Sequence, residues 1–163
     1  MLAVWLLLTE NDSNYVGEII GKLSKKYNSP EFLPHLTIYG VVKADLSEIR
    51  DVVTNSVTSL TPFTINATGI SYEKYIWKSL FIDVELNYDL EVINKRLASS
   101  FIKYGSFEFE PHISLLYKNM NESEKKRLIS NLEIKGVFEI DKIAIIKFSE
   151  NVRNWKIIDQ LSL

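Results

Sequence analysis

Apolar residues run without interruption from Leu2 to Leu8, which predicts a buried first strand. Val16, Ile19, Ile20, Leu23 and Tyr27 then recur at helical spacing, with Asp12, Ser13 or Asn14 available as the cap. Beyond a loop punctuated by Pro30 and Pro34, His35 to Gly40 alternates polar and apolar positions, the pattern of a half-buried strand ending at a turn glycine. Leu46, Ile49, Val52, Val53 and Val57 mark a second helix. Asp45 and Glu48 open it in the form of a capping box, and Thr61-Pro62 closes it before a strand from Phe63 to Ile70.

The same order then recurs: a strand from Trp77 to Leu86, a helix from about Asp89 to Lys103, a strand from Pro111 to Tyr117, a helix from about Glu122 to Asn131 and a strand from Val137 to Phe148. Asn121 and Glu124 again resemble a capping box. The displacement between corresponding elements is roughly 75 residues, which suggests two related lobes, about 1–75 and 76–163, within one domain spanning 1–163. Trp155 to Leu163 is left over, and is expected to pair with Val137 to Phe148 as a terminal hairpin. No low-complexity segment, charge block or linker separates the halves.

Composition narrows the possible chemistry. With 163 residues, 46% hydrophobic, the chain can bury a full core without covalent staples. It contains no cysteine, so disulfides, thiolate catalysis and Cys-ligated metals are excluded. A net charge of −2 argues against stable binding of long nucleic acid through counterion release. A small substrate or a nucleic-acid end fits better. The apolar opening is too short to span a bilayer and carries no basic leader, so a cytoplasmic protein without membrane association is expected.

The candidate chemistry lies in two heptapeptides, Pro34-His35-Leu36-Thr37-Ile38-Tyr39-Gly40 and Pro111-His112-Ile113-Ser114-Leu115-Leu116-Tyr117, which hold the only two histidines. Side chains alternate along a strand, so His35 shares a face with Thr37, and His112 with Ser114. Two imidazoles and two hydroxyls brought to one point would form a phosphate-sized site. Diester hydrolysis needs a base, an acid and donors to the non-bridging oxygens, and these residues can supply all three. Histidine suits both proton-transfer roles because its ordinary pKa, about 6.5, lies near neutrality. No HExxH pattern, GxSxG elbow, Walker loop or dinucleotide glycine loop is present, so metal, serine-nucleophile, nucleoside-triphosphate and NAD chemistry are not expected.

The two His-x-Thr/Ser-x motifs resemble those of the 2H phosphoesterase superfamily, and within it the chain is similar to the cyclic phosphodiesterases of plants and yeast. The likeness extends over Ala3-Val4-Trp5-Leu6-Leu7, Phe32-Leu33-Pro34, the strand around Trp77 to Phe81, Glu122-Ser123-Glu124-Lys125-Lys126, Ile143-Ala144 and Asn154-Trp155. It implies an α+β, bilobal fold: two pseudo-two-fold duplicated lobes with antiparallel sheets lining a central cleft and helices on the outside. It also implies catalysis without metal or cofactor; the protein itself is expected to be a monomer. The implied substrates are ADP-ribose 1″,2″-cyclic phosphate or nucleoside 2′,3′-cyclic phosphates, the latter opened to 2′-phosphates; an RNA-directed enzyme and a non-catalytic nucleotide-binding domain are the alternatives. One of His35 and His112 would activate water and the other protonate the leaving oxygen, with Thr37 and Ser114 donating to phosphate oxygens. His112 is favoured as base and His35 as acid. Tyr117 and Trp77 fall where the family places aromatics beside the base. Tyr39 is expected to pack in the core, and Lys43, Lys74, Lys78 and Lys118 to be surface residues around the cleft mouth.

Overall fold

The computed structural model describes residues 1–163. It is an α+β fold in which the expected element order appears twice: β1 (Leu2–Leu8), α1 (Glu10–Tyr27), β2 (His35–Val42), α2 (Leu46–Ser56), β3 (Phe63–Ser71), then β4 (Leu80–Val84), α3 (Tyr88–Phe101), β5 (His112–Leu116), α4 (Glu122–Asn131), β6 (Val137–Lys147). The last strand, β7 (Lys156–Ser162), pairs antiparallel with β6, completing the expected terminal hairpin.

All strands belong to one antiparallel sheet, ordered β1-β2-β5-β4-β3-β6-β7, and a further β1–β6 pairing closes it on itself. The long β6 makes the closure possible. Its first residues, Val137 to Ile140, pair with β3, while the stretch from Ile140 to Lys147 pairs with β1. These pairings do not divide the chain at residue 75. β3 joins β4 and β6, β6 returns to β1, α1 packs on β5 and α3 packs on β2. Each half thus covers the motif strand of the other, because an amphipathic helix lowers its free energy by burying its stripe on whichever sheet face the chain presents. A duplicated order of elements therefore does not appear as two self-contained lobes.

The core lies between the helices and one face of the sheet. Val16, Ile20 and Leu23 of α1 and Leu90, Ile93, Leu97 and Phe101 of α3 meet Leu36 and Ile38 of β2 and Ile113 and Leu115 of β5 there. β1 is apolar throughout because both its faces are covered: Val4, Leu6 and Leu8 join this core, whereas Trp5 and Leu7 pack with Ala144 and Ile146 on the opposite face, where Trp155 covers them.

Several local expectations are corrected. Helix α1 begins at Glu10, so Asp12 lies inside it; its buried carboxylate accepts from the Glu139 amide at 2.7 Å and from Lys135 instead of capping the helix. Asp45 occupies the N-cap of α2 without a side-chain cap bond, and Glu48 turns to Lys103 and Tyr104. Asn121 does cap α4, accepting from the Glu124 amide at 2.9 Å. Trp77 is not in a strand: residues Ile76–Lys78 form one 3-10 turn before β4 starts at Leu80.

Candidate active site

Strands β2 and β5 pair in the sheet at a single position, Leu36 with Ile113. Both apolar partners point into the core, so alternation sends their neighbours His35, Thr37, His112 and Ser114 to the other face. His35, Thr37 and His112 border one cavity of about 390 Å³, together with Trp77, Tyr117 and Trp155. Ser114 is buried and outside this lining, opposite Phe81 in the β4–β5 pairing. Tyr39 leaves the alternation at an irregularity between β1 and β2, and packs instead against Phe101 and Phe107, with its hydroxyl donating to the Gly105 carbonyl at 3.0 Å. Of the four lysines expected around the mouth, Lys78 borders the cavity.

The two imidazoles are held in the same way. Nδ1 of His35 lies 2.6 Å from the Leu33 carbonyl, and Nδ1 of His112 lies 2.7 Å from the Glu110 carbonyl, in each case two residues earlier. A carbonyl only accepts, so both Nδ1 atoms carry the proton, and Nε2 is the nitrogen left for chemistry. A neutral ring then offers Nε2 as a base, and a protonated ring offers it as an acid.

The surroundings of the rings differ. His35 is 4% exposed and stacks on Trp5 with centroids 3.5 Å apart and planes 9° from parallel, while Trp155 and Phe32 meet it edge-on. Burial pushes its pKa down to about 4; the Leu33 carbonyl opposes this and His112 adds to it. His112 is less enclosed. Its pKa is also lowered by burial, with the Glu110 carbonyl opposing; Lys78 lowers it further, and the Glu110 and Glu73 carboxylates raise it. Lys78 donates to Glu73 at 2.6 Å and to Glu110 at 2.5 Å beside this ring.

Around His35 the cavity is walled by aromatics. Trp77 stacks on Trp155 at 5.9 Å and meets Tyr117 at 5.5 Å, and Phe148 packs on both tryptophans. Trp155 is fixed by its indole N–H donating to the Ser149 carbonyl at 2.6 Å. Burial raises the pKa of the Tyr117 phenol, partly offset by the Ser114 hydroxyl, so the phenol is a neutral hydrogen-bonding group. The structure thus brings Trp77 and Tyr117 to the cavity with the histidines, and adds Trp5, Trp155 and Phe148, whose contribution no local motif marks as a site. Trp5 is carried on the strand next to β2, opposite Thr37, a neighbour relation that exists only once the strands pair.

Two imidazoles with Nε2 free, a threonine hydroxyl on the same lining and an apolar aromatic wall can bind a phosphate on one side and a flat ring on the other. This arrangement fits the two-histidine phosphoesterase expected from the motifs. Comparison with known proteins agrees: the chain belongs to the family described as cyclic phosphodiesterase-like protein, whose model matches residues 1–163. It is 21% identical over 124 residues to the cyclic phosphodiesterase of Arabidopsis thaliana, covering 76% of this chain and 68% of that one. Its fold is similar to that of E. coli LigT in complex with NADP+ (TM-score 0.63, 15% identity, 99% and 96% of the two chains). It is also similar to that of TT0787 of Thermus thermophilus (TM-score 0.70, 14% identity, 99% and 97%). The expected superfamily and hydrolase class are thereby established.

Proposed function

We propose that this enzyme opens a cyclic phosphate, a nucleoside 2′,3′-cyclic phosphate or ADP-ribose 1″,2″-cyclic phosphate, by acid–base catalysis between His35 and His112. The observation that carries the reading is the matched anchoring of both rings, which commits each Nδ1 to a backbone carbonyl and leaves each Nε2 for the cleft. The aromatic wall adjoins His35, which suits a nucleoside lying on that side and makes His35 the group next to the leaving ribose oxygen. His112, toward the polar end, is then placed to activate water.

In the proposed step, His112 Nε2 takes a proton from water as its oxygen bonds to phosphorus. The bond from phosphorus to one ribose oxygen breaks, and the proton on His35 Nε2 passes to that oxygen. The product is a phosphomonoester and the ring charges are exchanged. His35 binds its proton weakly in the empty cleft, so the phosphate's negative charge has to raise that affinity on binding. Thr37, on the cavity lining with His35, is assigned as the side-chain donor to the non-bridging oxygens, and Ser114, on His112's face but buried outside that lining, to positioning the Tyr117 phenol. Trp77 and Tyr117 are assigned to the nucleoside. E. coli LigT structures hold 3′-AMP and ATP as well as NADP+, so the related fold accommodates small nucleotides.

The reading is tested with purified protein and a panel of 2′,3′-cyclic nucleotides. Turnover should persist in EDTA, because no step passes through a metal, and His35→Ala or His112→Ala should each lower kcat by roughly 10² or more. Undiminished turnover in both variants would refute it.

A further inference from the structure

The two imidazoles share one kind of anchor, yet their planes are fixed by different means. His35 lies flat on Trp5 and is enclosed by Phe32 and Trp155, so packing alone holds its ring. His112 has no stacked partner. Phe81 meets it edge-on at 5.2 Å and the ring is only partly buried, so its orientation depends on the bond to the Glu110 carbonyl. Glu110 belongs to the stretch from Gly105 to Pro111, which leads into β5 without regular secondary structure. Its side chain is 63% exposed and is held by Lys78 at 2.5 Å. Lys78, by contrast, stands on a fixed base. Its carbonyl accepts from the Glu73 amide at 2.8 Å, the buried Ser79 that follows donates to the Lys118 carbonyl, and the buried Lys125 of α4 donates to the Glu73 carbonyl at 2.6 Å. The Lys78 ammonium lies 5.0 Å from the centre of the Phe81 ring and bridges Glu73 and Glu110. An isolated exposed ion pair restrains little, whereas a shielded cation shared by two carboxylates forms a network that does.

We propose that Lys78 is a positioning residue for His112: by clamping the Glu110 carboxylate it keeps the Glu110 carbonyl on Nδ1–H, which locks the ring in the tautomer whose Nε2 is free for the cleft. The inference rests on the proposed use of His112 in proton transfer and adds the residue that prepares it. Which nitrogen of a neutral imidazole carries the proton is set by the bond that the other one makes. Once the carbonyl is free to swing away, the proton can sit on Nε2, and a ring in that form cannot take a proton from water there. Charge acting alone makes a different prediction. Lys78 lowers the proton affinity of His112 while the Glu110 and Glu73 carboxylates raise it, so loss of Lys78 and loss of the Glu110 side chain would push the ring in opposite directions. A clamp fails in the same way from either end. Asp83, opposite His112 in the β4–β5 pairing and bonded to Ser71, and His35 are left in place by both changes.

The experiment is nitrogen NMR of protein labelled in its imidazoles, joined to steady-state kinetics. The chain has only two histidines, so His35 serves as the internal reference for His112. At about pH 8 both rings are neutral, and in the wild type both are expected in the Nδ1–H form. In Lys78→Met and in Glu110→Ala, His112 is expected to show a mixture of tautomers while His35 keeps its own. In both, kcat for a 2′,3′-cyclic nucleotide is expected to fall about 10-fold with KM changed by less than about 3-fold. Glu73→Ala, which leaves the Lys78–Glu110 pair, is expected to lower kcat by less than about 3-fold. The Glu110 side chain is exposed, so Glu110→Ala reads the clamp even where Lys78→Met does not fold. An unchanged His112 tautomer in the folded variants, an equal change at both histidines, or kcat shifts of opposite sign in the two variants overturns the inference. The tautomers are read without substrate, so they decide this inference separately; a wild type that opens no cyclic phosphate refutes the cyclic phosphodiesterase reading instead.

Discussion

The burial of His35 makes a quantitative demand on stability. In the folded chain its imidazole titrates at about 4, against about 6.5 when exposed. As pH falls below about 6.5 the unfolded chain takes up a proton that the folded chain refuses, so stability drops with falling pH and stops dropping on this account near pH 4. The fall from 6.5 to about 4, at about 1.36 kcal/mol for each tenfold change in proton affinity, amounts to about 3 kcal/mol present above neutrality and lost across that window. Carboxylates titrate in part of the same range, so the perturbation must isolate one ring. His35→Asn does so, because an amide does not titrate and its Nδ2, at the depth of the imidazole Nδ1, can still donate toward the Leu33 carbonyl. Urea unfolding of the wild type and the variant would be compared at several values between about pH 7.5 and about pH 4.5, a range that spans most of the window. With a urea m-value of about 2 kcal/mol/M, the wild-type midpoint should fall by about 1.5 M more than that of the variant over the full window. Parallel curves for the two proteins would refute the argument that the stacked, enclosed site keeps His35 neutral.

The depressed affinities of both rings also predict the pH dependence of catalysis. kcat/KM should follow a bell with its maximum below about 6.5, falling toward acid as both rings become charged and toward alkali as both become neutral; because the bell needs one ring in each state, it has this form whichever is the acid, and a maximum near about pH 8 would contradict it. A β-carbon at Gly40 would lie 2.5 Å from the Phe107 ring, so Gly40→Ala should push that aromatic aside at the cleft edge, lowering stability by about 1–3 kcal/mol and raising KM more than it lowers kcat, measured by urea unfolding and steady-state kinetics. Phe101 is fully buried at the end of α3, and Phe101→Ala should cost about 3–5 kcal/mol in the same unfolding assay.

Most of the secondary structure was legible in the pattern of the chain. The period-two run at His35, the helical stripe of α1 and α3, and the turn residues between them reflect local backbone geometry, which neighbouring residues impose wherever the chain sits. The catalytic candidates were legible for the same reason: two copies of one short motif on strands must each expose an imidazole and a hydroxyl on one face. Capping was less legible, since Asp12 and Glu48 have partners distant in sequence, Lys135 and Lys103, that compete for the same carboxylates. The residues after Trp77 carry a strand pattern, yet the strand starts only where β5 and β3 offer pairing partners.

Alternation depends on the strand alone, so the chain's own order settles which side chains β2 and β5 present, whatever they come to pack against. Folding in three dimensions settles what surrounds those side chains: closure of the sheet through β1 and β6, the exchange of helices between the halves, the Trp5 stack under His35, the wall made by Trp77, Tyr117 and Trp155, and the carboxylates that hold Lys78. Those are meetings of residues far apart in the chain, selected by the free energy of burying one face against another, and no short stretch of sequence contains both partners.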